Sequence, residues 1–314
     1  MGLINVPSYE GLNEAALRGY FDIWSRTLNM YHDFAACYPV EPHELDGEHD
    51  YLIEWREYTH EAQPEISYLI SMLLQSAELR MKALICKVSP YLLLINGSVP
   101  LSGSGRDLDF TGLRTLDAVD LPKAVNTFTS FQLQPEYETL FQRLRQVRNK
   151  VMHLGVHSTD VSLSYLVSSS CCQYRSLWPE GRWLSNRVKY DGRSANRYFY
   201  DYRWTSPVTD AMDELPLTMS LVSNEDFTAC VGAKKSSLKV YCPNCMDACA
   251  SKLSDGRQAT ATTTSGNTAT CLMCDSAFEL VANEESCVEC ETSIVSIAKV
   301  GRSQNVCCSQ CGHC

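Results

Sequence analysis

Long apolar runs are missing from this 314-residue chain. The longest uninterrupted aliphatic stretch is Leu92 to Ile95, preceded by Tyr91, far short of the ~20 residues a membrane-spanning helix needs. A partner membrane is therefore not expected. The N-terminus lacks the basic n-region of a secretion signal and carries Glu10 and Glu14 where an apolar core would stand. Met1-Gly2 resembles the start of a myristoylation signal, but position six holds Val6 where Ser or Thr is required. These absences make a cytoplasmic protein the expectation. No internal repeat of solenoid length is found. Positive charge is scarce at the start: residues 1–66 hold thirteen Asp and Glu against Arg18, Arg26 and Arg56. The chain's whole net charge of -10 resides there, so the remainder is balanced and free to meet an anionic ligand. The acidic start reads as a solvated helical face or as a surface that repels or mimics nucleic acid. With 45% hydrophobic and 20% charged residues, wholesale disorder is excluded, and the length suits about two domains.

Cysteine is abundant but unevenly placed: eleven of the sixteen lie in residues 242–314. Four C-x2-C pairs, Cys242/Cys245, Cys271/Cys274, Cys287/Cys290 and Cys308/Cys311, have the spacing with which a tight turn offers two thiolates to one tetrahedral zinc ion. Without a secretion signal, metal is preferred to disulfide. The pairs group as Cys242, Cys245, Cys271, Cys274 and as Cys287, Cys290, Cys308, Cys311, giving two structural zinc ions per chain. Cys308/Cys311 is preferred over Cys311/Cys314 because Gly312 eases the turn after the second thiolate. Cys249, Cys307, His313 and Cys314 remain unassigned. Four thiolates leave no open coordination position, so neither zinc is expected to be catalytic.

Hydrophobic periodicity predicts a helix over residues 8–37 and a stronger one over 65–88, where Ile66, Leu69, Ile70, Leu73, Leu74 and Ala77 begin a wide apolar stripe. A Gly- and Ser-rich loop is expected over 97–112 and a short helix over 122–131. Residues 135–154 read as a well-marked helix, with Pro135 at its start and Gly155 as its stop. From Val161 to Val167 the alternation predicts a strand. Residues 255–270, a polar stretch rich in Thr, Ser and Gly, are expected to form a mobile loop. Between these, residues 182–204 interleave Arg182, Arg187, Lys189, Arg193, Arg197 and Arg203 with seven Trp, Tyr and Phe. That composition suits single-stranded RNA, cations neutralising phosphates and rings stacking on bases; it equally suits a strand pair with its aromatics inside. The predicted fold is a mainly α N-terminal helical bundle (1–157), a mixed α/β segment (158–240) and a small β-rich double zinc-ribbon module (241–314).

The segment RLRQVRNKVMHLG places Arg148, Asn149 and His153 near the end of the helix over 135–154. Asn149 and His153 share a face, whereas Arg148 and His153 stand about 140° apart. Only a long Arg side chain or a second copy across a symmetry axis brings both to one phosphate. The set suits phosphodiester cleavage without metal: His moves a proton near neutral pH, Arg holds a phosphate oxygen in two parallel hydrogen bonds, and Asn orients either. A plainer reading is a helix whose last turn carries cations because they suit its C-terminal dipole.

The R-N-x-x-x-H pattern of Arg148, Asn149 and His153 resembles the motif of the HEPN superfamily, helical-bundle domains that include many ribonucleases. An earlier segment, SAELRMKALICKVSP (Ser76 to Pro90), is similar to that family's E-L-x-x-K-A-L wording, with Glu78 and Lys82 as its polar pair. The resemblance covers residues 8–157. It implies a homodimer whose Arg-Asn-His sets meet at the two-fold axis, with Glu78 and Lys82 in support. It further implies an endoribonuclease that leaves a 2',3'-cyclic phosphate, acting as a toxin or abortive-infection effector in phage defence, with an antitoxin or a phage-derived trigger as partner. The alternative is a non-catalytic zinc-ribbon scaffold or sensor that binds nucleic acid or protein and dimerises through the same bundle.

Overall fold

The computed structural model describes residues 3–38, 48–94, 107–155, 161–190, 206–250, 257–300 and 303–313. They form two compact units, Met1–Leu177 and Trp178–Cys314.

The first unit is a helical bundle in which two long helices pack against each other along their apolar stripes. Helix α1 (Tyr9–Cys37) starts where the Ser8 hydroxyl accepts the Gly11 backbone N–H at 3.0 Å. It buries Ala16, Leu17, Tyr20, Phe21 and Trp24. After α2 (Glu48–Glu61), helix α3 (Gln63–Val88) runs through the centre and packs against α1 and the later helices. Ser76 on α3 donates to the Ala16 carbonyl of α1 at 2.9 Å, which replaces water at a close crossing. A two-residue parallel pairing joins β1 (Leu3–Ile4) to β2 (Leu108–Asp109). Helix α4 (Leu121–Phe128) is shorter than the span predicted, and α5 (Pro135–Leu154) has the predicted bounds. Gly155 closes α5 at φ 62°, its N–H returning to the Lys150 and Val151 carbonyls. Tyr137, Phe141 and Leu144 of α5 are fully buried. The loop expected over 97–112 falls largely outside the described residues.

The strand expected from Val161 to Val167 is instead the start of helix α6 (Leu163–Leu177). Leu163, Leu166, Val167, Ser170, Cys171 and Tyr174 are buried at three- and four-residue steps, a period hidden in the sequence because Ser and Cys hold core positions. The Ser170 hydroxyl donates to the Leu166 carbonyl at 2.8 Å while its own carbonyl accepts from Tyr20, and the Gln173 amide donates to the Leu73 carbonyl at 3.1 Å. Arg80, buried in α3, donates to the Leu177 carbonyl at 3.0 Å and to Asn13 at 2.6 Å. The first unit thus extends to 177, past the boundary at 157 read from the sequence.

The second unit contains α7 (Trp183–Lys189), α8 (Pro207–Leu221), α9 (Asn224–Val231) and α10 (Pro243–Ala250), followed by a five-stranded antiparallel sheet. Its strands β3 (Ala261–Ser265), β4 (Thr268–Cys271), β5 (Ala277–Ala282), β6 (Ile294–Val300) and β7 (Ser303–Cys308) lie side by side in chain order. The two expected ribbons are therefore one continuous meander. The polar insert is no mobile loop over its described part: β3 and β4 form a hairpin that turns at Gly266, φ 54°. Its Thr residues are β-branched strand formers, and Ala261 and Ala269 place their methyls in the core.

Candidate functional site

On α3, Glu78 and Lys82 lie one turn apart. α5 crosses α3 and sets Arg148 beside Glu78, its guanidinium 3.4 Å from the carboxylate. Both groups are partly shielded, with 32% and 22% of their side-chain surface exposed. Burial raises Glu78 above the ordinary carboxylate range, opposed by Arg148, Lys82 and Arg145, which lower it. Lys82 reaches Thr115 at 3.4 Å. The two segments singled out in the sequence, 70 residues apart, meet in one cleft of ≈ 330 Å³ that both Glu78 and Arg148 line. Asn149 is exposed on the next position of α5. His153 belongs to the last turn of α5, and its side chain lies outside the described residues.

Such a site can hold and polarise an anion. The Arg148 guanidinium has five N–H donors, and one carboxylate cannot occupy them all. Tyr68, Ser71 and Gln75, on the turns of α3 before Glu78, line the same cleft. Sequence reasoning missed these three, although they recur at three- and four-residue steps opposite the apolar stripe.

The cysteines assemble as the spacing predicts. Cys242, Cys245, Cys271 and Cys274 form one group and Cys287, Cys290, Cys308 and Cys311 a second, the sulfurs of each lying within 4.8 Å of one another. Specific separations are 3.6 Å for Cys242–Cys274, 3.7 Å for Cys245–Cys271, 3.6 Å for Cys287–Cys311 and 3.5 Å for Cys290–Cys308. Four thiolates ~2.3 Å from one zinc ion stand about 3.8 Å apart along a tetrahedron's edges, so both groups fit a metal of this kind.

Local chain geometry explains the fit. The first pair sits at the start of α10, and the other three occupy turns between or after strands. In each turn the backbone N–H two residues on points at the first sulfur: Met273 to Cys271 at 3.3 Å, Glu289 to Cys287 and Gln310 to Cys308 at 3.4 Å. At Cys287 the N–H groups of Glu289 and Cys290 hold the thiol down at about 7, favouring the ligating thiolate. The residue after the second cysteine is left-handed in all three: Asp275 at φ 59°, Glu291 at φ 61° and Gly312 at φ 72°. A Cβ at Gly312 would lie 2.5 Å from the Tyr241 ring and 2.8 Å from the Met246 sulfur, so glycine is required there for space as well as φ. Hydroxyls add support at the first group, where Thr260 lies 3.3 Å from Cys271 and Ser276 3.2 Å from Cys274. Asn244, between the first two cysteines, donates to Ser276 at 3.0 Å and accepts from Asn305 of β7 at 3.1 Å. No composition signal pointed to Thr260, Ser276 or Asn244, since their role depends on strand register. Of the spares, Cys249 contacts Thr209 and Met212, Cys307 is buried against the Tyr241 carbonyl, and His313 pairs with Glu289 at 3.2 Å. Cys314 lies outside the described residues.

The basic aromatic segment is partly corrected. Arg187 is fully buried and grips Glu214 of α8 through Nε at 2.8 Å and Nη2 at 2.7 Å, so it joins two helices and cannot meet RNA. Arg182 is exposed and paired with Asp275, fixing α7 to the first cysteine turn. Lys189 is exposed, 5.0 Å from the Tyr190 ring centre. Trp183 is core. Arg193, Arg197 and Arg203 lie outside the described residues. Among the described residues no helix is long and apolar enough to cross a membrane. Comparison with family models, curated proteins and solved structures gave no match.

Proposed function

We propose that the chain is a HEPN-type endoribonuclease that cuts RNA without a catalytic metal, its second unit held together by two zinc ions. The observation that carries this reading is the meeting of Glu78 and Arg148 in one cleft, because it joins two independently noticed segments at the end of the helix that bears His153. Arg148 holds a non-bridging phosphate oxygen, and Glu78 fixes the guanidinium's direction. His153 takes up the proton as the 2'-OH attacks its own phosphodiester, and Asn149 orients the imidazole or the phosphate. The new P–O2' bond replaces the P–O5' bond, the 5'-oxygen leaves with a proton taken from water, and a 2',3'-cyclic phosphate remains. The angle between Arg148 and His153 calls for a homodimer with the cleft at its two-fold axis. Phage defence, as a toxin or abortive-infection effector released by an antitoxin or a phage-derived trigger, is the setting that the motif resemblance supports.

Zinc suits the second unit because the donor sets are all thiolate and closed, which stabilises a small sheet and leaves no position for substrate. The two complete cysteine groups also favour a second reading, a scaffold or sensor that uses the sheet to bind nucleic acid or protein. Expression in bacteria separates the two: wild type should arrest growth and His153→Ala should not. Equal toxicity of the two would remove the catalytic reading.

A further inference from the structure

Helix α3 presents Tyr68, Ser71, Gln75 and Glu78 along one side of the cleft that ends at Arg148. Buried Leu74 and half-buried Met72 supply its apolar part. Tyr68 is a large aromatic with 51% of its surface exposed, on a helix whose other large apolar side chains are mostly buried. Among the described residues neither core packing nor a hydrogen bond on its hydroxyl accounts for it. At 1.5 Å per residue, about 15 Å of helix separates Tyr68 from Glu78. The cleft's ≈ 330 Å³ stands at the lower end of ligand-site volumes, suited to a nucleotide seated in it with its neighbour at the rim, about 15 Å being two nucleotide steps, and too small for a folded partner's element.

The order of chemistries along the cleft is informative. A cationic fork lies at one end, an exposed ring at the other, and between them Gln75 offers both a donor and an acceptor. The Ser71 hydroxyl donates to the Ser67 carbonyl at 3.0 Å, which leaves its oxygen lone pairs to accept. A nucleotide presents the same sequence of needs: a phosphate, then a base with a donor-and-acceptor edge and a flat face. In a duplex that face is covered by its neighbours, so a single protruding ring can serve only an unpaired base.

We propose that this cleft is a subsite for a short unpaired stretch of single-stranded RNA, with Arg148 at a phosphate, Gln75 and Ser71 reading the edge of the base that follows, and Tyr68 stacking on the base of the next nucleotide along. This deepens the ribonuclease reading and rests on it for the identity of the anion at Arg148. Tyr68 is a specificity-determining residue in this scheme and takes no part in proton transfer.

The test uses the full chain with its metal retained and four short homopolymeric RNAs carrying 2'-fluoro groups, which lack the attacking hydroxyl. Fluorescence anisotropy reads their affinity for wild type, Tyr68→Ala, Tyr68→Phe and Gln75→Ala. Loss of one base stack should weaken binding about ten-fold in Tyr68→Ala, while Tyr68→Phe stays near wild type. Gln75→Ala should change the ranking among the four bases. On cleavable RNA, Tyr68→Ala should raise KM about as much and leave kcat alone. Wild-type affinity and ranking in Tyr68→Ala would overturn the subsite, as would an equal loss on a duplex of the same length. The two readings fail separately: Tyr68-dependent binding without cleavage by wild type sinks the ribonuclease, and cleavage indifferent to Tyr68 sinks the subsite.

Discussion

Arg187 shows how a side chain of the right chemistry can be in the wrong place for it. Its guanidinium is bidentate with Glu214 and fully buried, so Arg187→Met would strand a shielded carboxylate. That should destabilise the second unit by ~3–5 kcal/mol in urea titration, and the double change with Glu214→Leu should recover most of it. RNA affinity measured on the folded double variant should match wild type. At Gly312, Ala adds left-handed strain and a clash with Tyr241 and Met246, together costing ~1–3 kcal/mol. Glu291→Gly, at an exposed left-handed position, should instead gain ~1 kcal/mol, read by the chelator concentration at which metal is lost. Glu78 gives a pH signature. Its raised pKa means that the folded state binds the proton more tightly, so ionisation opposes folding. The effect is absent below the unfolded carboxylate range and grows as pH rises through the folded pKa. Stability of Glu78→Gln relative to wild type should therefore rise from about pH 4 to pH 7, and a flat difference would contradict the assignment.

Among the elements, α1, α3 and α5 were legible because each buries an unbroken apolar stripe, and the cysteine turns because two thiolates three residues apart are a local geometry. Helix α6 was not legible as helix: Ser169, Ser170 and Gln173 occupy buried positions, and there Ser170 and Gln173 donate to the Leu166 and Leu73 carbonyls in place of apolar contact. What remained visible in Val161, Leu163, Tyr165 and Val167 was an accidental alternation. Helix α2 escaped notice because its sequence, EHDYLIEWREYTHE, is mostly polar and leaves Tyr51, Leu52 and Ile53 exposed. The hairpin of β3 and β4 was taken for a loop because its core contacts are small Ala side chains and its outer face is Thr. In the candidate cleft, Arg148 and Asn149 could be read from a motif, but the pairing of Arg148 with Glu78 depends on how α5 crosses α3. Tyr68 and Gln75 carried no motif at all. If α6 is integral to the first unit, a fragment ending at residue 157 should lose the Tyr20 and Arg80 contacts and unfold, while one ending at 177 should give a cooperative melt by circular dichroism.

At the scale of the molecule, a helical unit with an ample apolar core is joined to one whose sheet is short and leaves Val281, Ile294 and Val306 exposed. Metal should substitute there for core. Elemental analysis of protein made under reducing conditions should find two zinc ions per chain, and strong chelation should strip hydrogen-exchange protection from β3–β7 while α1, α3 and α5 keep theirs. Light scattering should give a dimer; a monomer that still cuts RNA would remove the two-fold cleft. The central claim is that Arg148 and His153 cleave RNA with no metal in the reaction. Its most direct measurement is incubation of purified wild type, Arg148→Ala and His153→Ala with a short unstructured RNA in EDTA, with the new ends resolved by mass. The account predicts fragments ending in 2',3'-cyclic phosphate from wild type and none from either variant, and cutting by His153→Ala at the wild-type rate would contradict it.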